Sequence, residues 1–162
     1  MKVQNICFTG VPENYATIDN YVSRSAQPKK DDFVWLKDNG VTDIVNFRTM
    51  TVPELDFDEP ELVKSLGMKY HSIPSVSKYP QEKNVFDFLA LADEILSQNG
   101  KLHIHCKQGA DRTGMYSYLY KSYKHIGSES ENIAEWIAKG LHLEKYPNLI
   151  SWAQNFVKNY LK

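Results

Sequence analysis

Residues 102–123 constrain the fold of this chain more than any other stretch. The apolar, β-prone run Leu102-His103-Ile104 leads into His105-Cys106-Lys107-Gln108-Gly109-Ala110-Asp111-Arg112-Thr113-Gly114, and a helix-prone run over 113–123 follows directly. A strand that turns through a glycine-containing loop straight into a helix aims the N–H groups of the turn and the positive end of the helix dipole at one spot. Such a spot holds an anion. The same field favours the thiolate form of a cysteine placed in it, so Cys106 reads as a nucleophile directed at whatever the loop binds. Arg112, six positions on, supplies a planar fork of donors that matches two phosphoryl oxygens and can follow them into a pentacoordinate transition state. Transfer of phosphate to sulfur is the chemistry these residue types fit.

The rest of the chain supplies strands and helices in alternation. Residues up to Gln27 read as strand and turn. A short helix over 31–39, started by Asp31 or Asp32 with Phe33 and Leu36 inward, closes at Gly40. Residues 41–47 carry Val41, Ile44, Val45 and Phe47 in one short run and predict a buried strand. An acidic loop over 49–60, a short helix to Leu66 and a strand over 69–73 follow. From Gln81 to Gln98, Val85, Phe88, Leu89, Ala92, Ile95 and Leu96 recur at helical spacing, and Asn99-Gly100 ends the helix. The run 101–105 is the strand before the loop, and 113–126 the helix after it. Ser128 with Glu131 makes a capping box for a helix carrying Ile133, Trp136 and Ile137, and Pro147 starts a last helix with Leu149, Trp152, Phe156 and Tyr160 on one face. This alternation implies an α/β fold with a mainly parallel sheet covered by helices on both faces, and a site at the carboxyl end of a central strand. At 162 residues a single domain over 1–162 is expected, and a monomer.

Composition narrows the function classes. A net charge of −1 and a pI near 6.5 make no general electrostatic case for nucleic acid or an anionic membrane, so any basic character must be local to the site. Two cysteines make no disulfide framework, and a catalytic thiolate needs a reducing compartment; Cys7 reads as a packed apolar residue rather than a redox partner of Cys106. No apolar run reaches membrane-spanning length and the first ten residues contain no cleavable apolar core, so a cytoplasmic location is expected. His103, His105 and Cys106 have a suggestive metal spacing, but side chains of a strand alternate faces and no fourth ligand cluster accompanies them, so neither metal nor cofactor is expected. His103 reads as structural, and Trp35, Trp136, Trp152, Phe156 and most tyrosines as core.

The loop resembles the signature of the cysteine-dependent phosphatases of the protein tyrosine and dual-specificity superfamily: His-Cys, five residues, Arg, then Ser or Thr. His105, Cys106, Gly109, Arg112 and Thr113 meet every fixed position. The resemblance extends to Arg24-Ser25-Ala26-Gln27-Pro28 and to the run from Gly40 to Arg48, which look like early segments of compact dual-specificity phosphatases and their relatives acting on inositol phosphates. It implies that Cys106 is the nucleophile, Arg112 the phosphate clamp and Thr113 the hydroxyl that steadies the thiolate. The amides of Lys107, Gln108, Gly109, Ala110 and their neighbours would cradle the phosphate, and His105 would order the loop through hydrogen bonding.

The general acid is where this sequence becomes individual. Relatives carry an aspartate on a separate loop, and the corresponding stretch here, 74–80, has no carboxylate. Asp111 lies inside the loop, in a Cys-x-x-Gly-x-Asp-Arg-Thr pattern that resembles the myotubularin-type lipid phosphatases, where that aspartate is the acid candidate. A carboxyl beside a phosphate dianion keeps its proton more readily, as an acid needs to. The bland alternative is that Asp111 caps the following helix and faces solvent, with Asp56 or Asp58 as more remote acids. Lys107, Lys78 and Arg48 could bind extra phosphates of an inositol ring or be solvated charges, and Tyr79 lies in a loop that borders the site in the resembled family. The expected partner is a phosphorylated substrate, phosphoprotein or inositol polyphosphate. A catalytically inactive phosphate-binding module or a rhodanese-like sulfur transferase would use a similar loop, but neither requires nucleophile, clamp and hydroxyl together.

Overall fold

The computed structural model describes residues 10–50 and 54–162; Cys7 lies outside the described residues. Five strands form one sheet: β1 (Ala16–Thr17), β2 (Val22–Ser25), β3 (Asp43–Asn46), β4 (Lys69–Ser72) and β5 (Leu102–His105), in the spatial order β1-β2-β5-β3-β4. Only β1 runs antiparallel; the other neighbours are parallel, with Leu102 of β5 opposite Val22 of β2 and Asp43 of β3. The expected mainly parallel sheet is therefore present, and β5 is its central strand.

Helices cover both faces, and the alternation of strand side chains decides which residue meets which layer. Ile44 packs with Phe33 and Leu36 of α1 (Lys30–Asp38), Val63 of α2 (Glu59–Ser65) and Met68. Its neighbour Val45 points the other way, into the larger core with Phe47, Leu102 and Ile104. That core is closed by α3 (Glu82–Ser97), α4 (Arg112–Lys124), α5 (Glu129–Ala138) and α6 (Leu149–Phe156), through Phe88, Leu119, Trp136 and Phe156 among others. Burying apolar surface of this kind at roughly 25 cal/mol per Å² is what holds the layers on the sheet.

Differences from the sequence reading are local. Helix α1 starts a residue early, with Lys29 at its N-cap, because Asp32 works from inside the first turn, accepting from the Lys29 N–H at 2.8 Å. The capping box of α5 forms through Ser128 and Glu131. Ile137 of that helix is 43% exposed, since it lies about 100° around the helix from the buried Trp136. The last helix begins at Leu149 rather than Pro147, because turns still occupy the preceding residues. It continues into a π-helical turn over Val157–Leu161, where Tyr160 is exposed and donates to Glu82. Among the described residues, no helix is long and apolar enough to cross a membrane.

Candidate active site

Strand β5 turns Leu102 and Ile104 into the larger core and His103 and His105 to the opposite side. His103 is fully buried between two hydroxyls, Ser23 Oγ at Nδ1 and Ser25 Oγ at Nε2, both at 2.7 Å. Ser25 commits its own proton to the Ala26 carbonyl, so it accepts from Nε2–H and Ser23 donates to Nδ1. Burial, with His105 adding to it, holds this ring well below the ordinary imidazole value. The buried His105 donates from Nδ1 to the Cys106 carbonyl at 3.1 Å, and its Nε2 lies 3.0 Å from Glu59 Oε2. Every nitrogen of the two rings is thus engaged within the protein.

Glu59, at the start of α2, escaped the sequence reading because it lies 46 positions from His105. Its carboxylate is buried and also accepts from Asn46 and Gln27. Burial works to raise this group, and His105, Gln27 and Asn46 outweigh it, so the carboxyl sits below its ordinary value.

The loop itself is braced from outside. The Lys107 carbonyl accepts from the Gln27 N–H at 3.0 Å, that of Gln108 from Asn14 Nδ2 at 3.2 Å, and that of Gly109 from Arg24 Nη2 at 2.7 Å. The carbonyls of 107–109 are thus engaged by the surrounding protein, whereas no protein group among the described residues accepts from the N–H groups of 107–111. Arg24 is buried beneath the loop, where desolvation pulls its guanidinium below the ordinary value and the charges of Glu135 and Cys106 oppose that. Gly109 has φ +71, and a Cβ there would come within 2.6 Å of Ala26 N and the Ser25 carbonyl carbon. Gly109→Ala therefore combines a left-handed residue, costing about 1–2 kcal/mol, with displacement of the β2 exit. A urea midpoint falling by the equivalent of about 2 kcal/mol or more is expected; an unchanged midpoint would show that the loop backbone is not held this tightly.

Cys106 lies 2% exposed at the floor of a cleft of about 390 Å³. Its walls are Lys107, Gln108, Asp111 and Arg112 from the loop, Thr49, Ser75, Val76 and Ser77 from the ends of β3 and β4, and His142, Lys145 and Tyr146 from the α5–α6 connection. Arg112 reaches the carbonyls of Phe47 (3.4 Å) and Ser75 (3.3 Å) through Nη1. Ser75 Oγ donates to the Ile73 carbonyl and so accepts from the Tyr116 phenol at 2.6 Å, which burial pushes up to about 12 against the pull of Ser75 and Arg112.

Residues 19–123 match the family described as polymorphic toxin system, DSP-PTPase phosphatase. The chain belongs to this family. It is a cysteine-dependent phosphatase of the dual-specificity and protein tyrosine type. No curated protein matches it. Among solved structures it is similar to a phosphatase-like protein of Shewanella putrefaciens CN-32, at 21% identity and TM-score 0.79 over 99% of both chains. It is also similar to P. aeruginosa TpbA bound to phosphotyrosine, at 18% identity and TM-score 0.70 over 86% of this chain and 82% of that one. The core catalytic domain of the S. cerevisiae PP-IP phosphatase SIW14 has 18% identity and TM-score 0.69, over 92% and 86%. At these identities the likeness is one of fold.

The cleft of this phosphatase gathers some of the residues singled out in the sequence and leaves others elsewhere. Thr113 is buried beside the loop, but its Oγ1 has no hydrogen-bond partner among the described residues, so the contact to the cysteine sulfur is not made here. Ala110 is buried in the loop and Gln108 exposed on it. Asp111 occupies the N-cap position of α4 without capping it. Its carboxylate instead accepts from the backbone N–H of His142 at 2.8 Å, with His142 Nδ1 2.8 Å from Oδ2. Arg48 is not in the cleft: it is buried and spent on Glu54 and Gln27. Lys107 lines the cleft, but its ammonium is 3.4 Å from Glu54. Lys78 and the 64% exposed Tyr79 border a neighbouring groove with Tyr146 and Trp152. Asp56 lies in a third groove beside Lys29 and Lys30, and Asp58 caps α2 by accepting from Glu61 N–H, and neither lines the cleft that holds Cys106. His142 and Lys145 carried no signal in the sequence, since no motif links the α5–α6 connection to the loop.

Proposed function

We propose that the protein is a metal-independent phosphomonoester hydrolase acting through a phosphocysteine intermediate on phosphotyrosine in proteins. The observation that carries this is the loop: its carbonyls at 107–109 are held by Gln27, Asn14 and Arg24, its N–H groups at 107–111 have no protein acceptor among the described residues, and Cys106 and Arg112 line one cleft. The Cys106 thiolate attacks phosphorus, the ester P–O bond breaks, and the Asp111 carboxyl gives its proton to the departing oxygen. The amides and Arg112 take the charge of the equatorial oxygens. Water then attacks the phosphocysteine, its proton passes to Asp111, the S–P bond breaks and inorganic phosphate leaves. Thr113 Oγ1, buried and without a hydrogen-bond partner among the described residues, is the donor assigned to the returning thiolate.

The use of the cations supports this choice of substrate class. Of those considered for additional phosphates, Arg48 is buried in an ion pair, Lys107 is paired with Glu54, and Lys78 lies outside the cleft. Lys145, a further cation of the cleft wall, has its ammonium 5.4 Å from the Tyr146 ring centre, and beside the cleft runs an aromatic wall of Tyr146, Tyr79 and Trp152, which suits a tyrosyl ring and its peptide. Phosphotyrosine peptides and inositol polyphosphates assayed side by side test this; a higher kcat/KM on the polyphosphates would overturn it.

Asp111→Asn tests the acid. Protonation matters most for a poor leaving group, so this variant is expected to slow phosphotyrosine about 10²-fold while an activated nitrophenyl phosphate loses far less. Equal losses on both would remove Asp111 from the acid role.

A further inference from the structure

We propose that His142 is a positioning residue for the acid step, holding the Asp111 carboxyl toward the cleft and stabilising the charge that develops on it; this rests on the reading of Asp111 as the acid. The two residues are 31 positions apart and meet through three contacts: backbone N–H to Oδ1 at 2.8 Å, Nδ1 to Oδ2 at 2.8 Å and Nδ1 to Oδ1 at 3.1 Å. The Asp111 side chain is 14% exposed and that of His142 46%, so the imidazole stands between the carboxyl and solvent on the wall they share with Cys106 and Arg112.

An aspartate at an N-cap ordinarily folds back onto the first amides of its helix. Here the αR backbone of Asp111 and the pull of His142 prevent that, and Asp111 makes no cap bond. The carboxyl is thereby kept for the cleft. His142 is itself held: its carbonyl accepts from Tyr146 N–H at 2.9 Å, and the preceding Leu141 is buried, with its N–H on the Trp136 carbonyl. A rigidly mounted partner limits the carboxyl to one orientation, which is what a proton donor requires. As Asp111 releases its proton it becomes an anion, and two donors already aimed at it strengthen their hydrogen bonds at that moment; stabilisation that grows toward the transition state raises kcat. The other charged or titratable groups that line the cleft with the pair are Cys106, Lys107, Arg112, Lys145 and Tyr146.

The test compares His142→Ala, His142→Asn, Asp111→Asn and the double variant Asp111→Asn/His142→Ala on a phosphotyrosine peptide and on nitrophenyl phosphate. His142→Ala should cut kcat on the peptide about 10-fold or more while changing the nitrophenyl rate and vanadate affinity little. His142→Asn, whose Nδ2 donor stands near the place of Nδ1, should recover most of that loss, and the double variant should be no slower than Asp111→Asn alone. Equal slowing of both substrates by His142→Ala, losses that multiply in the double variant, or vanadate affinity lost in both His142 variants would each overturn the proposal. Should Asp111→Asn itself lack leaving-group selectivity, the acid reading fails and takes this inference with it; a selective Asp111→Asn beside an unselective His142→Ala overturns the inference alone.

Discussion

Cys106→Ser is expected to lower turnover by roughly 10³-fold or more while leaving the melting temperature nearly unchanged. A serine hydroxyl fits the space of the buried thiol, so the core around residue 106 persists, but the adjacent His105 is not available as its base: both ring nitrogens are committed to the Cys106 carbonyl and to Glu59. Arg112→Ala should be similarly damaging, because it removes the one guanidinium that lines the cleft among the described residues. Arg112→Lys should recover little, since an ammonium keeps the charge and loses the planar fork. Single-turnover kinetics with a phosphotyrosine peptide decide the matter, and more than a few per cent of the wild-type rate in the serine variant would refute covalent catalysis by Cys106. Treatment with EDTA should leave the wild-type rate intact, and vanadate should inhibit it.

Glu59→Ala is expected to be the most destabilising single change near the site. It removes the acceptor shared by His105, Asn46 and Gln27, and breaking one side of a buried pair costs about 3–5 kcal/mol. For a domain of this size that corresponds to a fall in Tm of about 10 °C or more. Activity should fall with it, because His105 anchors the Cys106 carbonyl from which the loop departs. The pH dependence has a definite sign. The Glu59 carboxyl lies below its ordinary value in the folded protein, so its contribution is present above the unfolded value of about 4.3 and is lost as pH falls through the folded one. The gap between wild type and variant in thermal melts should therefore narrow only below roughly pH 4. A gap that stayed constant into strong acid would show that Glu59 is not ionised in the fold.

The sequence by itself determined the features set by near neighbours. Hydrophobic spacing placed α3 and the strand-loop-helix at 102–124, and the ten residues from His105 to Gly114 were enough to single out Cys106 and Arg112, which the structure brings into one cleft. Alternation of strands and helices was enough for a parallel sheet with its site at the end of β5. The occupation of the charged residues was not legible. Arg48, Lys107, Lys78, Asp56 and Asp58 look equivalent as letters, yet one is buried against Glu54, one is paired with Glu54 beside the cleft, one borders another groove and the two aspartates lie outside the cleft. Nor could Asp111 be separated from a helix cap until His142 was seen beside it, or His105 be known to rest on Glu59 and the Gly109 carbonyl on Arg24. Local spacing sets φ/ψ preferences and which face is apolar. Whether a charge is solvated, paired or aimed at a substrate depends on contacts 31, 46 and 85 positions apart, and those exist only once the sheet has assembled.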